Sequence, residues 1–179
     1  HMEKVFRHTG EVVFCFDGDN AGRKAAERAL EAVLPLMEAG RQARFFFLPD
    51  GEDPDSFVRK VGEEQFNWHL SKAASLSEHL FALCSEGLQL TKPDDKAQLL
   101  SRLTPHLKAL PESAFKALLL QDIAEKTGLA SEKIQQLIEP SKFEAVANTH
   151  TQSSSAKATQ AKFEPHKAPM QRQKLPSEE

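Results

Sequence analysis

The sequence of 179 residues contains only two cysteines, one tryptophan and no tyrosine. Its net charge is also small, with a formal value of −3. The balanced charge excludes a strongly basic nucleic-acid clamp as far as net charge can reveal one. Cys15 and Cys84 form no C-x-x-C pair, and the histidines show no metal-ligand spacing, so no zinc module is predicted. Isolated cysteines in apolar stretches favour a reducing compartment, and hence the cytoplasm. No apolar run approaches the roughly 20 residues needed to span a bilayer, so no membrane association is predicted.

The first part of the sequence has the pattern of a parallel βαβ unit. Residues 11–16, Glu-Val-Val-Phe-Cys-Phe, are a continuous apolar run typical of a strand covered on both faces. An amphipathic helix follows, for which Asn20 is the predicted N-cap and Gly40 the predicted end, and a second apolar run lies at 43–48. We therefore expect a parallel pair of strands with a right-handed crossover, within an α/β region over 1–62.

Beyond residue 62 the pattern is helical throughout and then becomes polar. Asp53-Pro54 predicts the start of a short helix that ends at Gly62. A helical bundle is predicted over 63–140, with Ser131 as the N-cap of its last helix and Pro105 kinking or dividing its longest one. The predicted helices are 63–74, 76–86, 93–110, 111–126 and 131–139. Residues 141–179 have few large apolar side chains, which predicts a disordered tail that is either a tether to another domain or plain C-terminal disorder.

Most of the aromatic residues fit structural roles. Phe45, Phe46 and Phe47 are consecutive on a predicted buried strand, which favours core packing over a base-stacking platform. On the first bundle helix, Trp68 is predicted to pack and His69 to be solvated.

Carboxylates follow both predicted strands. Asp17-Gly18-Asp19 comes directly after the first strand, and Asp50, Glu52, Asp53 and Asp55 follow the second. Carboxyl ends of parallel neighbours share one edge of a sheet, which is where α/β proteins bind ligands. Like charges about 4 Å apart repel by roughly 1 kcal/mol in water and about 4 kcal/mol at an effective dielectric of 20, so converging carboxylates favour a bound cation. Oxygen ligands indicate Mg²⁺, Mn²⁺ or Ca²⁺.

Three other interpretations of these loops compete with a metal site. Both loops could be solvated turns, with Asp53 acting only as a helix cap. An EF-hand starting at Asp17 is excluded, because Ala21 and Arg28 occupy positions that need oxygen ligands. A haloacid-dehalogenase-like phosphatase, with Asp17 as the phosphorylated residue, stays open as an alternative, although Asn20-Ala21 departs from that family's pattern.

Residues 13–26, Val-Phe-Cys-Phe-Asp-Gly-Asp-Asn-Ala-Gly-Arg-Lys-Ala-Ala, resemble the Asp-x-Asp segment of a Toprim domain, in particular that of bacterial DNA primases. Residues 47–58, Phe-Leu-Pro-Asp-Gly-Glu-Asp-Pro-Asp-Ser-Phe-Val, resemble the second acidic motif of that family, and the likeness extends more weakly to about residue 140. The resemblance implies the later part of a Toprim domain followed by the helical subdomain of the RNA polymerase core. It also implies synthesis of short RNA primers on single-stranded DNA from ribonucleoside triphosphates, at the bacterial replication fork.

The resemblance also implies roles for individual residues. Mg²⁺ or Mn²⁺ would be bound by four carboxylates, of which the first two are also catalytic: Asp17, Asp19, Asp53 and Asp55. Asp50 and Glu52 are second-tier ligands, and Arg23 and Lys24 would contact phosphate, although an ordinary solvated helix face is the simpler interpretation of those two.

The sequence departs from the family in ways that limit the expected activity. A Glu-Gly-Tyr-Met-Asp-like motif, an N-terminal zinc module and a basic template-binding subdomain are expected in the parent protein but are not found in this sequence. Helicase binding is expected in a C-terminal domain absent here. We therefore expect the isolated chain to be inactive, and a non-catalytic partner-binding module stays open as a second alternative.

Overall fold

The computed structural model describes residues 2–38 and 40–139. The disordered tail predicted for 141–179 lies outside these residues. Among the described residues, no helix is long and apolar enough to cross a membrane.

A three-stranded mixed sheet organises the first half of the chain. Strands β1 (Glu11–Phe16), β2 (Gln42–Phe47) and β3 (Ala74–Ser75) lie in the order β1-β2-β3. β1 and β2 are parallel, in register from Glu11 opposite Gln42 to Phe16 opposite Phe47, which confirms the predicted parallel pair. β3 is antiparallel to β2, so the prediction of helix throughout 63–140 is wrong at Ala74 and Ser75. A strand of two residues has no periodicity from which it could be recognised.

Helices account for most of the remaining chain and largely match the predicted segments. They are α1 (Met2–Val5), α2 (Asn20–Val33), a 3₁₀ turn (Leu34–Leu36), α3 (Pro54–Val61), α4 (Glu63–Ser71), α5 (Leu76–Ser85), α6 (Pro93–Ala109), α7 (Ala114–Thr127) and α8 (Ser131–Ile138).

The ends of α2 differ from the prediction. Asp19, not Asn20, is the N-cap, and its carboxylate Oδ1 accepts a hydrogen bond from the Gly22 backbone N at 2.7 Å. The α-helix ends at Val33 instead of continuing to Gly40, because Pro35 has no N–H to donate and the chain tightens into the 3₁₀ turn.

Of two predictions about the helical half, one is wrong in part and the other is wrong. α6 is not divided at Pro105 but runs through it as one helix, where Leu103 and Leu107 on either side are fully buried and hold it against its neighbours; the kink at Pro105 stays a prediction. α8 is preceded by Ala130 as N-cap, without a side-chain hydrogen bond, and Ser131 is already its first helical residue.

One buried core joins the sheet to the helices. Leu30 of α2, Phe45 of β2, Leu80 of α5, Leu103 of α6 and Ile123 of α7 all belong to it. The core therefore extends across residue 62, and the division into domains at 62 and 140 stays a prediction.

The aromatic predictions have mixed outcomes. Phe45 is buried as predicted, whereas Phe46 and Phe47 are only half-buried. Trp68 is 54% exposed, so its predicted packing role is wrong. His69 is half-buried, with its ring centroid 5.3 Å from that of Phe57.

Candidate metal site at the carboxyl edge of the sheet

The two acidic loops lie side by side at the carboxyl edge of β1 and β2. The backbone N of Leu48 donates a hydrogen bond to the carbonyl of Phe16 at 2.9 Å, which extends the pairing by one residue into the loops. A Cβ atom placed on Gly18 would lie 2.3 Å from the Leu48 carbonyl oxygen and 3.0 Å from both the backbone N and Oδ1 of Asp50. Only glycine therefore allows this close contact.

In the first loop the backbone of Asp17 supports the first turn of α2. A Cβ on Gly22 would lie 2.0 Å from the carbonyl oxygen of Asp17, so the first turn of α2 packs directly against the carbonyl group of Asp17. The side chains of Asp17 and Asp19 are both exposed. Capping fixes the orientation of the Asp19 carboxylate, whereas the Asp17 carboxylate accepts no hydrogen bond from another described residue. Gly22 was missed as a site residue; the available signal was a glycine in the first helical turn after an acidic strand end.

The second loop is ordered around the start of α3. Asp53 is the N-cap, and its Oδ1 accepts hydrogen bonds from the backbone N of Asp55 and of Ser56, each at 2.9 Å. The hydrogen bond from the Ser56 backbone is the main cause that lowers the pKa of Asp53. The cap that the sequence left open as an alternative role for Asp53 is therefore present.

Two neighbouring carboxylates have their own cationic partners. Glu52 accepts a hydrogen bond from Nζ of Lys60 at 2.5 Å and another from the Ser56 hydroxyl at 3.0 Å, and the bond from Lys60 is the main cause that lowers its pKa. Asp55 forms an ion pair with Arg59 at 2.8 Å, in which both side chains are largely exposed. Exposed pairs of this kind are weak, so a stronger ligand can displace them at little cost.

Among the described residues, no three His, Cys, Asp or Glu side chains are grouped closely enough to hold a metal ion. Of the four predicted ligands, Asp17 and Asp19 lie in the first loop, Asp53 is the N-cap of α3 and Asp55 is in its first turn, and the structure does not assemble them into a cluster. The donor chemistry does fit a hard divalent cation, because the carboxylates flanking the Gly18 contact offer oxygen ligands only. Asp50, with its Oδ1 beside Gly18, is the acidic residue of the second loop that demonstrably adjoins the first.

The predicted phosphate contacts lie next to this edge. Arg23 and Lys24 are exposed in the first turn of α2, and Arg23 lines a cavity of about 310 Å³ together with Phe47 and His79. The imidazole of His79 stacks on Phe45, with ring centroids 4.3 Å apart, and burial lowers its pKa. Its Nε2 is buried without a hydrogen-bond partner among the described residues. The sequence held no spacing that distinguished His79 from the other histidines.

Comparisons with known proteins agree along most of the described chain. Residues 1–58 match the Toprim-like family, and residues 77–132 match the family described as the DnaB-helicase binding domain of primase. The DNA primase of Escherichia coli K12 is 41% identical over 145 residues, which cover 81% of this chain and 25% of that protein. The chain belongs to the family of DnaG-type bacterial DNA primases.

Solved primase structures have the same fold as this member of the family. A DNA primase domain from Pseudomonas aeruginosa is 42% identical, with a TM-score of 0.74 over 77% of this chain and 43% of that one. A DnaG primase catalytic domain bound to single-stranded DNA is 43% identical, with a TM-score of 0.69 over 74% of this chain and 42% of that one. These matches confirm the predicted fold class, and they do not favour the phosphatase or the purely partner-binding alternative.

The match at 77–132 corrects one expectation. Helicase binding was assigned to a C-terminal domain absent from this sequence, whereas a domain with that description lies within α5–α8. That expectation came from the family resemblance alone, because the apolar periodicity of a helical bundle carries no mark of the partner it binds. The chain spans about a quarter of the length of the curated primase that it matches, 25% for the E. coli protein.

Proposed function

We propose that this chain contributes the metal-binding edge of a primase active site and, through its helical half, a contact with the replicative helicase. The parent enzyme copies single-stranded DNA into short RNA primers from ribonucleoside triphosphates in the bacterial cytoplasm. The single observation that carries the proposal is the contact of the two acidic loops at Gly18, on the edge where a phosphate-binding metal belongs in this fold.

The proposed ligands of Mg²⁺, or Mn²⁺, are Asp17, Asp19, Asp53 and Asp55, with Asp50 in support. When bound, such an ion neutralises triphosphate charge and favours in-line attack by the primer 3′-hydroxyl. The chain's own residues set up this chemistry. Helix capping by Asp19 and Asp53 fixes the orientation of their carboxylates, and Asp55 follows Asp53 in the first turn of α3, where it forms an exposed ion pair with Arg59.

The first turn of α2 is the proposed site for substrate phosphate. Arg23 and Lys24 supply positive charge there, and backbone N–H groups at a helix N-terminus attract anions. Zinc is assigned only to a separate N-terminal module of the parent protein.

Mn²⁺ titration followed by NMR tests the metal assignment. Resonances of Asp17, Asp19, Asp53 and Asp55 should broaden first, because paramagnetic relaxation falls steeply with distance. Asp17→Asn should weaken binding at least tenfold, whereas Asp94→Asn, which removes an exposed carboxylate in the first turn of α6, should leave it unchanged. Broadening spread evenly over unrelated acidic residues, or equal effects of the two variants, would contradict the assignment.

The isolated polypeptide is proposed not to synthesise primers, because the Glu-Gly-Tyr-Met-Asp-like motif and the basic template-binding subdomain expected from the family resemblance are not found in this sequence. The assay is incorporation of labelled ribonucleotides on a single-stranded template with Mg²⁺ or Mn²⁺. Template-dependent RNA above the level given by the Asp17→Asn variant would overturn this proposal.

A further inference from the structure

Glu52 differs from the other carboxylates that follow the two parallel strands. Its side chain is only 18% exposed, whereas every aspartate within 17–19 and 50–55 is exposed. A carboxylate that is largely withdrawn from water needs partners of its own. Both oxygens of Glu52 have one, because Oε1 accepts a hydrogen bond from Nζ of Lys60 and Oε2 accepts one from the Ser56 hydroxyl at 3.0 Å. A cation would have to displace one of these partners to reach Glu52.

The hydroxyl of Ser56 connects Glu52 to the N-cap of α3. Its oxygen accepts a hydrogen bond from the backbone N of Asp53 at 3.1 Å. Its proton has two acceptors within reach, Oε2 of Glu52 and the carbonyl oxygen of Asp53, each at 3.0 Å. A hydroxyl has one proton and rotates to suit its acceptors, and a charged acceptor forms the stronger hydrogen bond. Glu52 therefore holds this proton and leaves a lone pair of the Ser56 oxygen for the Asp53 backbone N–H.

The cap in turn fixes the carboxylate of Asp53 through one of its two oxygens. Oδ1 accepts the hydrogen bonds from the backbone N of Asp55 and of Ser56, whereas Oδ2 accepts none from the residues that the structure describes. One oxygen of Asp53 is thus used by the helix and the other is left for a cation. The direction in which that second oxygen is presented depends on the hydrogen bonds that hold the cap together.

We propose that Glu52 positions Asp53 for metal binding without binding the metal itself, and that Ser56 and Lys60 complete this positioning group. The inference rests on the proposed role of Asp53 as a metal ligand, and it replaces the second-tier ligand role that the sequence suggests for Glu52. Hydrogen-bond partners of a metal ligand orient it, and loss of one typically weakens metal binding about 10- to 100-fold. Glu52 acts on Asp53 through one intervening hydroxyl, so we expect losses at the lower end of that range.

The Mn²⁺ affinity of the full chain, measured from the electron paramagnetic resonance signal of unbound Mn²⁺, tests this. Glu52→Ala and Ser56→Ala should each weaken binding about tenfold. The double variant should bind no more weakly than either single variant, because both residues act through one chain of hydrogen bonds. Glu52→Gln should weaken binding by no more than about threefold, since its carbonyl oxygen still accepts the Ser56 hydroxyl although a neutral amide is a poor substitute for a carboxylate ligand.

Two further variants separate orientation from a general loss of stability. Ser113→Ala removes the N-cap side chain of α7, far along the chain from the acidic loops, and should leave the Mn²⁺ affinity unchanged. Ser56→Thr keeps the hydroxyl and should retain the affinity of the wild type. Urea unfolding establishes that every variant is folded under the conditions of the titration.

The outcomes distinguish this inference from the proposed function. No Mn²⁺ binding by the wild type, or binding that Asp53→Asn does not weaken, would overturn both. Binding that Asp53→Asn weakens but Glu52→Ala and Ser56→Ala do not would overturn the positioning role alone. Equal losses for Glu52→Gln and Glu52→Ala, or losses that multiply in the double variant, would make Glu52 a direct ligand and overturn the inference. A similar loss for Ser113→Ala would reduce the effect to helix stability and overturn it as well.

Discussion

Replacing Gly22 with alanine should destabilise the protein, although the change removes a glycine from a helix. On helix propensity alone, glycine to alanine stabilises an exposed helix by about 1 kcal/mol. Gly22 is buried, however, and its added Cβ would lie 2.0 Å from the carbonyl oxygen and 2.8 Å from the carbonyl carbon of Asp17. Both are backbone atoms, which cannot rotate away as the end of a flexible side chain can.

The expected net loss is about 2 kcal/mol. Overpacking in a closely packed site costs about 1–3 kcal/mol, and contact with two backbone atoms places Gly22 at the upper end, about 3 kcal/mol. Helix propensity offsets at most about 1 kcal/mol of this. The movement that relieves the clash must separate α2 from the end of β1, so it also displaces the Asp19 cap, whose Oδ1 accepts the Gly22 backbone hydrogen bond.

Urea unfolding followed by far-UV circular dichroism measures this loss. Ala21→Gly is the matched control, since Ala21 is the exposed preceding residue and its replacement should cost no more than the ordinary propensity of about 1 kcal/mol. A Gly22→Ala variant as stable as the wild type, or more stable, would refute the packing of α2 against the Asp17 peptide.

Three further predictions concern single groups. The pKa of Asp53 is lowered in the folded state, so its contribution to stability is complete above its pKa in the unfolded chain, about 3.9, and is lost as the pH falls through the lower pKa of the folded state. Asp53→Asn keeps a capping side chain but has no charge to titrate. As the pH drops from about 5 to about 3, the urea midpoint should therefore fall more for the wild type than for this variant. Burial raises the pKa of Cys84 to about 11 and also raises that of the half-buried Cys15. A thiol reagent at about pH 8 should therefore modify Cys15 first and Cys84 only when the protein unfolds. Cys15→Ser should remove the faster phase of the modification reaction. Ser113→Ala should lower the free energy of unfolding by about 1 kcal/mol, because the Ser113 side chain caps α7. Ser131→Ala should change it by only a few tenths of a kcal/mol, because Ser131 is the first helical residue of α8 and not its N-cap. Equal effects of the two substitutions, measured by urea unfolding, would contradict these assignments of the N-caps.

The parallel strand pair was predictable because its signals are local and strong. Each strand is rich in apolar side chains and is followed by acidic residues and a glycine, and the helix between them has a regular apolar stripe. The close contact at Gly18 was also foreseeable, since a glycine between two aspartates at a strand end has few other uses.

The errors lie where neighbouring structure decides between local alternatives. Asp19 and Asn20 are both good caps, and only the position of Gly22 on the Asp17 peptide selects the earlier one. Pro105 stays within α6 because buried leucines on both sides of it fix the helix. Trp68 is exposed because it lies two residues from both Phe66 and Leu70, which are half-buried on the inner side of α4, and this offset turns it toward the opposite side.

The acidic loops have a structural role in helix capping as well as the proposed role in metal binding. Asp19 and Asp53 each cap the helix that follows a strand, so both side chains also stabilise the fold at this edge. The N-terminus of α2 also lies at this edge, and helix N-termini favour anions. Carboxylates that suit a divalent cation therefore lie beside backbone groups that suit phosphate. Primer synthesis as proposed above needs both at one place, which is why this edge is the one to test with a metal ion and a nucleoside triphosphate together.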